Sequence, residues 1–277
     1  MPPSRLVIPP RPSILLELQE LMQQPEVDLS KIVELIKRDV SLYAILLSYV
    51  NSPWMGLRQK ITSIETAIPL MGLEKVVGLM RAVLVRASLQ EAPVYESFWN
   101  TATEVAGICQ MLAQIYATSK TEDAYCTGML HNAGVPVMLL NCNGYEDFLQ
   151  KNLRRPANEL CVRERLKFKT DHYLLGGKLA QKWKISNDVA MAIRYQPIAE
   201  SVLSGSKALP AEVNVLMAIL TLAKDISGEY QHYWKVDENE FNTKSVEAAL
   251  LYLEITDQEY KEIKEDTISE LIQSNVA

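Results

Sequence analysis

The stretch that decides the fold is Thr127-Gly128-Met129-Leu130-His131-Asn132-Ala133-Gly134. Ala124, Met129 and Leu130 put apolar side chains on one side of a helix that meets a glycine stop at Gly134. His131 and Asn132 stand at the join. A histidine followed by an acid at such a join makes a metal-binding pair. Here the second residue is an amide, which offers a neutral oxygen and no charge.

Outward from this point nearly everything reads as helix. Downstream, Val135 to Leu140 continues apolar, and Asn141-Cys142-Asn143-Gly144 breaks the run. Tyr145 to Leu153 and Asn158 to Phe168 are helical. Thr170-Asp171 caps a helix from His172 to about Lys184, and another follows from Asp188 to about Tyr195. Ala211 to Ile226 is strongly apolar. Thr256-x-x-Glu259 reads as a capping box opening an acidic C-terminal helix.

Upstream, Thr121 caps the helix that leads to His131, and a longer helix spans about Tyr95 to Tyr116. Before that come short helices. Asp28 caps one, and Thr62-Ser63-Ile64-Glu65 reads as a capping box for a helix that ends at Gly72 with Pro69 late in it. Glu91-Ala92-Pro93 is the expected boundary between subdomains. Trp54, Met55 and Leu57 lie in a loop, where they either close over the core or form a partner site. Strand-like alternation is nearly absent.

The bulk composition narrows the function. The net charge of −6 argues against wholesale phosphate-backbone binding, so nucleic acid is not an expected partner. No run reaches the ~18 apolar residues of a membrane span, and the N-terminus lacks an apolar signal core. A cytoplasmic protein with no membrane partner is expected. Cys109, Cys126, Cys142 and Cys161 lie far apart and read as small buried hydrophobes in a reducing compartment.

Several stretches together resemble the HDOD domain family. In the first part these are Ile8-Pro9-Pro10-Arg11-Pro12 through Asp39, Asn51-Ser52 with Gly56, Thr62-Ser63-Ile64-Glu65-Thr66-Ala67 and Leu70-Met71-Gly72-Leu73. In the second they are Phe98-Trp99, Leu130-His131-Asn132-Ala133-Gly134, and Asp171-His172-Tyr173-x-x-Gly176 with Leu179-Ala180 and Trp183. The resemblance covers roughly residues 8 to 200. It implies an all-α fold of two packed helical subdomains, 1–92 and 93–277, the second similar to the HD metal-dependent phosphohydrolases. It also implies a bacterial signalling or regulatory module, often without catalysis.

Phosphohydrolysis of the HD kind needs divalent metal held by imidazoles and carboxylates. Carried over by the resemblance, the HD pair falls on His131-Asn132, the upstream histidine on or near Thr101, and the downstream one on His172. A His-His pair falls on Tyr195-Gln196, and a late aspartate near Lys224 or Asp225, with His232 unassigned. Two histidines and at most one carboxylate remain where a stable site usually wants at least about three protein ligands. No metal or other cofactor is expected.

Thr101, His131, Asn132, His172, Tyr195 and Gln196 are then either a satisfied polar cluster holding helices in register or a pocket for a small anionic or nucleotide ligand. Arg163, Arg165, Lys167 and Lys169, with Lys178, Lys182 and Lys184, lie near His172 in sequence. They read as a solvated face, helped by Glu164 and Asp171, or as anion contacts beside the helix start at Asp171.

The expectation is a non-catalytic regulatory protein acting through a protein partner, with input arriving by non-covalent contact. The alternative is an HD-type metal-dependent phosphohydrolase acting on a nucleotide or phosphodiester.

Overall fold

The computed structural model describes residues 13–24, 26–38, 43, 46, 47, 50, 51, 61, 63–73, 76–78, 80, 84, 96–183, 185–236 and 243–276. All regular structure among them is helical, so the fold is all-α. The readings placed on Trp54, Met55, Leu57, Thr62 and Lys184 lie outside the described residues. Contacts between Cα atoms divide the chain into a unit of Pro9–Ser88 and a larger one carrying Leu89–Ala277.

In the smaller unit, α1 is Ser13–Met22, α2 Leu29–Lys37 and α3 Ile64–Met71. Asp28 caps α2 by accepting from the backbone N–H groups of Ser30 and Lys31. This leaves Ile32, Leu35 and Ile36 buried on one face. The expected box at 62–65 is displaced by one residue. Ser63 is the cap, extended at φ −143°, and its hydroxyl accepts from Thr66 N–H. Glu65 pairs with Lys37 on α2 and also bonds back to Ser63 and the start of its own helix. Gly72 ends α3 at φ +85°, a conformation only glycine adopts without strain.

The larger unit holds α4 Glu96–Tyr116, α5 Thr121–Leu130, α6 Gly134–Asn141, α7 Tyr145–Gln150, α8 Ala157–Phe168 and α9 His172–Lys182. It continues with α10 Asn187–Tyr195, α11 Ala199–Leu203, α12 Ala211–Ile226, α13 Gly228–Trp234, α14 Thr243–Tyr252 and α15 Asp257–Val276. Helix α12 is the hub and packs on α4, α5, α10, α13 and α14. Its sequence is apolar nearly all round, as a helix surrounded by others must be. Leu216, Ile219, Leu220, Leu222 and Ala223 are all buried.

Two local readings change. Thr121 does not cap α5; Lys120 holds that position and the Thr121 hydroxyl donates to Thr118 O at 2.8 Å. Gly134 is not a stop but the first residue of α6. What requires glycine there is close approach, since a Cβ would lie 1.7 Å from the His172 carbonyl oxygen. This contact brings the start of α9, and so His172, against the His131-Asn132 turn.

Candidate functional site

His131 ends α5 and is buried. Its Nδ1 donates to Gly128 O at 2.6 Å, a bond back onto its own helix. His172 begins α9, where Asp171 caps the helix by accepting from Leu174 N–H at 2.8 Å. Its Nδ1 lies 2.8 and 2.9 Å from the two carboxylate oxygens of Glu164, and its backbone N–H donates to Glu164 Oε2 at 3.0 Å. Tyr145 donates its phenol proton to Glu164 Oε1 at 2.5 Å. Burial, with Glu164 adding to it, pushes the Tyr145 phenol well above its ordinary range and keeps it a donor.

In both imidazoles the Nδ1–H is anchored and Nε2 is left as a lone pair. Both Nε2 atoms are buried without a partner. This outer hydrogen bonding is what orients histidines that ligate metals.

The rest of the set does not follow. Asn132 is buried in the turn between α5 and α6, where its backbone carbonyl accepts from Val135 N–H at 2.9 Å. Gln196 Nε2 donates to His131 O at 2.7 Å and to Ile193 O at 3.1 Å. Its Oε1 accepts from Lys224 Nζ at 3.4 Å. The late position is therefore occupied by Lys224. Asp225 turns away toward α15, where it accepts from Tyr260 at 2.5 Å and Lys264 at 2.8 Å.

A lysine beside two imidazoles works against a dication. Burial lowers the His131 pKa to about 3, and the Lys224 charge and then His172 add to the effect. Burial lowers Lys224 itself to about 8. Among the described residues no group of three or more His, Cys, Asp or Glu comes together as a metal cage. Glu164 is already held by three donors. The residues present do not fit a dication, which wants anionic oxygens.

Two expected members stand apart. Thr101 is committed to backbone, with its hydroxyl 2.8 Å from Ser97 O and 3.4 Å from Glu229 O, so it ties α4 to α13. Tyr195 is half-buried with Arg194 and Lys207 over its ring at 5.6 and 5.8 Å. His232 is exposed.

The basic group does not converge either. Arg165 Nε pairs with Asp171 at 2.6 Å, Lys167 lies over the Phe148 and Phe168 rings, and Lys169 donates to Leu166 O at 3.2 Å. Arg163 is exposed. Two N–H groups at the start of α9 are taken by Asp171 and Glu164. The reading of Glu164 and Asp171 as solvating acids is corrected, since both are completely buried.

Sequence reading missed Glu164, Tyr230 and Trp234. Glu164 shares a helical face with the buried Leu160 and Cys161, and a carboxylate on such a face requires donors. Tyr230 and Trp234 sit on the short α13, whose cap Ser227 accepts from Tyr230 N–H. Their rings lie 5.6 Å from His131 and 6.4 Å from His172 respectively, and Tyr173 lies 3.8 Å from His172.

Known proteins share this arrangement of helices. The chain superposes on a crystal structure of a candidate phosphohydrolase from Shewanella amazonensis SB2B with a TM-score of 0.70, at 22% identity, covering 96% of this chain and 92% of that one. An HDOD domain protein of unknown function from Geobacter sulfurreducens gives 0.67 at 19% identity, covering 98% and 92%. A candidate signal transduction protein from Marinobacter aquaeolei VT8 gives 0.68 at 19%, covering 97% of this chain and 59% of that one. At such identities the likeness shows the fold. In sequence, the chain is 31% identical over 193 residues to an uncharacterized protein of Treponema pallidum (strain Nichols). The match takes in 68% of this chain and 37% of that protein, so the chain spans little more than a third of its relative. The HDOD domain family model matches residues 8–198, and the chain belongs to the HDOD domain family.

Proposed function

We propose that this chain is a non-catalytic, cytoplasmic HDOD regulatory module that acts by contact with a partner protein. Its former metal site serves as a polar core that holds α5, α9, α10 and α12 together. The observation that carries this reading is the placing of Lys224, a cation bonded to Gln196 and in Coulombic reach of His131. HD chemistry needs an anionic ligand set to bind a dication and activate its water. Support for a partner comes from α8, where Val162 and Leu166 are 55% and 70% exposed on either side of Arg163. The four free cysteines are all buried, in keeping with a reducing compartment.

One feature favours the rival reading, a phosphohydrolase acting on a nucleotide or phosphodiester. The two unpartnered Nε2 atoms keep the orientation of metal ligands. Turnover of bis(p-nitrophenyl) phosphate with added manganese or zinc separates the two. The regulatory reading expects no metal-dependent turnover. Turnover that is lost in His131→Ala and His172→Ala would overturn it.

A further inference from the structure

Next to the aromatic rings that pack against the histidines, the larger unit holds a cavity of about 160 Å³ that is partly open at the surface. Tyr173, Tyr230 and Trp234 contribute to its wall, together with Gln196, Lys224 and Arg154. Its size matches one planar ring, because apolar cavities of about 150 Å³ are known to take up benzene.

Its chemistry calls for negative charge. Lys224 has no carboxylate within ion-pair distance among the described residues. Its neighbours include an amide oxygen at 3.4 Å and the Tyr230 ring, whose centroid is 5.0 Å away. A partly buried cation without a counter-ion is costly, and an anion entering the cavity would relieve it. Arg154 adds a second, exposed cation with no ion pair among the described residues. The adjacent Arg155 is engaged by Asn152 and Glu159. The buried indole N–H of Trp234, a residue of the cavity wall, has no acceptor.

We propose that this cavity binds a small anionic molecule carrying one planar ring. The ring lies among Tyr173, Tyr230 and Trp234, and the anionic group pairs with Lys224 and Arg154. The shared chemistry is aromatic plus anionic, whether the charge is a carboxylate or a phosphate. The proposal deepens the regulatory reading and rests on it, since the ligand is bound and not turned over. The same rings pack on His131 and His172, so occupancy would be felt at those histidines.

The test is calorimetric titration of the whole chain with benzoate, with phenyl phosphate, and with neutral benzamide as control. Benzoate binding alone identifies a carboxylate ligand, and phenyl phosphate binding alone identifies a phosphate one. Benzamide should bind at least roughly tenfold more weakly than the anion that binds. Lys224→Met should weaken that anion by roughly tenfold or more, and Arg154→Ala, an exposed change that spares the core, by a few-fold. With only three histidines in the chain, binding is also read as a shift of the His131 and His172 ring resonances, with His232 unmoved. No binding of either anion, or anion binding indifferent to both substitutions, overturns the cavity proposal and leaves the regulatory reading standing. Hydrolysis of the phenyl phosphate would instead overturn the regulatory reading.

Discussion

Glu164 holds His172 at two points: its carboxylate accepts from the ring Nδ1 at 2.8 Å and from the backbone N–H at 3.0 Å. Both residues are completely buried. A histidine gripped in this way has its Nε2 aimed by the fold and not by a ligand. The pair therefore joins α8 to the start of α9 whether or not anything binds there.

Removing the carboxylate should be expensive. Glu164→Ala leaves the His172 ring, the His172 N–H and the Tyr145 hydroxyl without an acceptor in a dry interior. The expected loss is about 3–5 kcal/mol. Glu164→Gln keeps one acceptor oxygen and should cost about 1–3 kcal/mol. Urea denaturation of the three proteins checks the order.

The close approach of α6 to α9 sets a second expectation. Gly134→Ala would press its Cβ into the His172 carbonyl, backbone against backbone, so neither side can yield by turning a side chain. A loss of about 3 kcal/mol or more is expected, at or beyond the upper end for overpacking. A methyl added at Gly228 would meet nothing within 4 Å, and Gly228→Ala should leave the melting temperature almost unchanged.

His131 makes stability depend on pH. Its folded pKa is lowered to about 3 by burial, reinforced by Lys224 and His172, against about 6.5 in the unfolded chain. The unfolded state binds the proton first, so stability from this group is complete above about pH 6.5 and falls as pH drops toward 3, by up to about 1.4 kcal/mol per pH unit. The slope of unfolding free energy between pH 6 and 4 should flatten in His131→Asn. An unchanged slope would place the proton elsewhere.

Much of the fold was legible because its signals are local. Asp28 and Asp171 are side-chain caps where the sequence places them, and the apolar run 211–226 is the buried hub. The resemblance to HDOD domains, carried by motifs from both halves, found the histidines. Other parts depended on neighbours that sequence does not show. Glu164 sits among Arg163, Arg165 and Lys167 and so reads as a solvated acid, although its helical face is buried. Helix α13 is short and mixes aromatic with polar residues, so it lacks an apolar stripe. Its Ser227 cap was the available signal. Lys224 and Asp225 are adjacent in sequence but about 100° apart around α12. An error of one residue in register therefore exchanges a carboxylate for a cation at the site.

The residues around His131 and His172 form a polar core that does not suit a dication. The metal content of protein purified without chelators or an affinity-metal step tests this most directly. Less than about a tenth of an equivalent of iron, manganese or zinc is expected, since two imidazoles beside a lysine fall short of the roughly three protein ligands a stable site requires. About one equivalent or more, lost on His131→Ala and His172→Ala, would contradict it and make the phosphohydrolase reading the leading one.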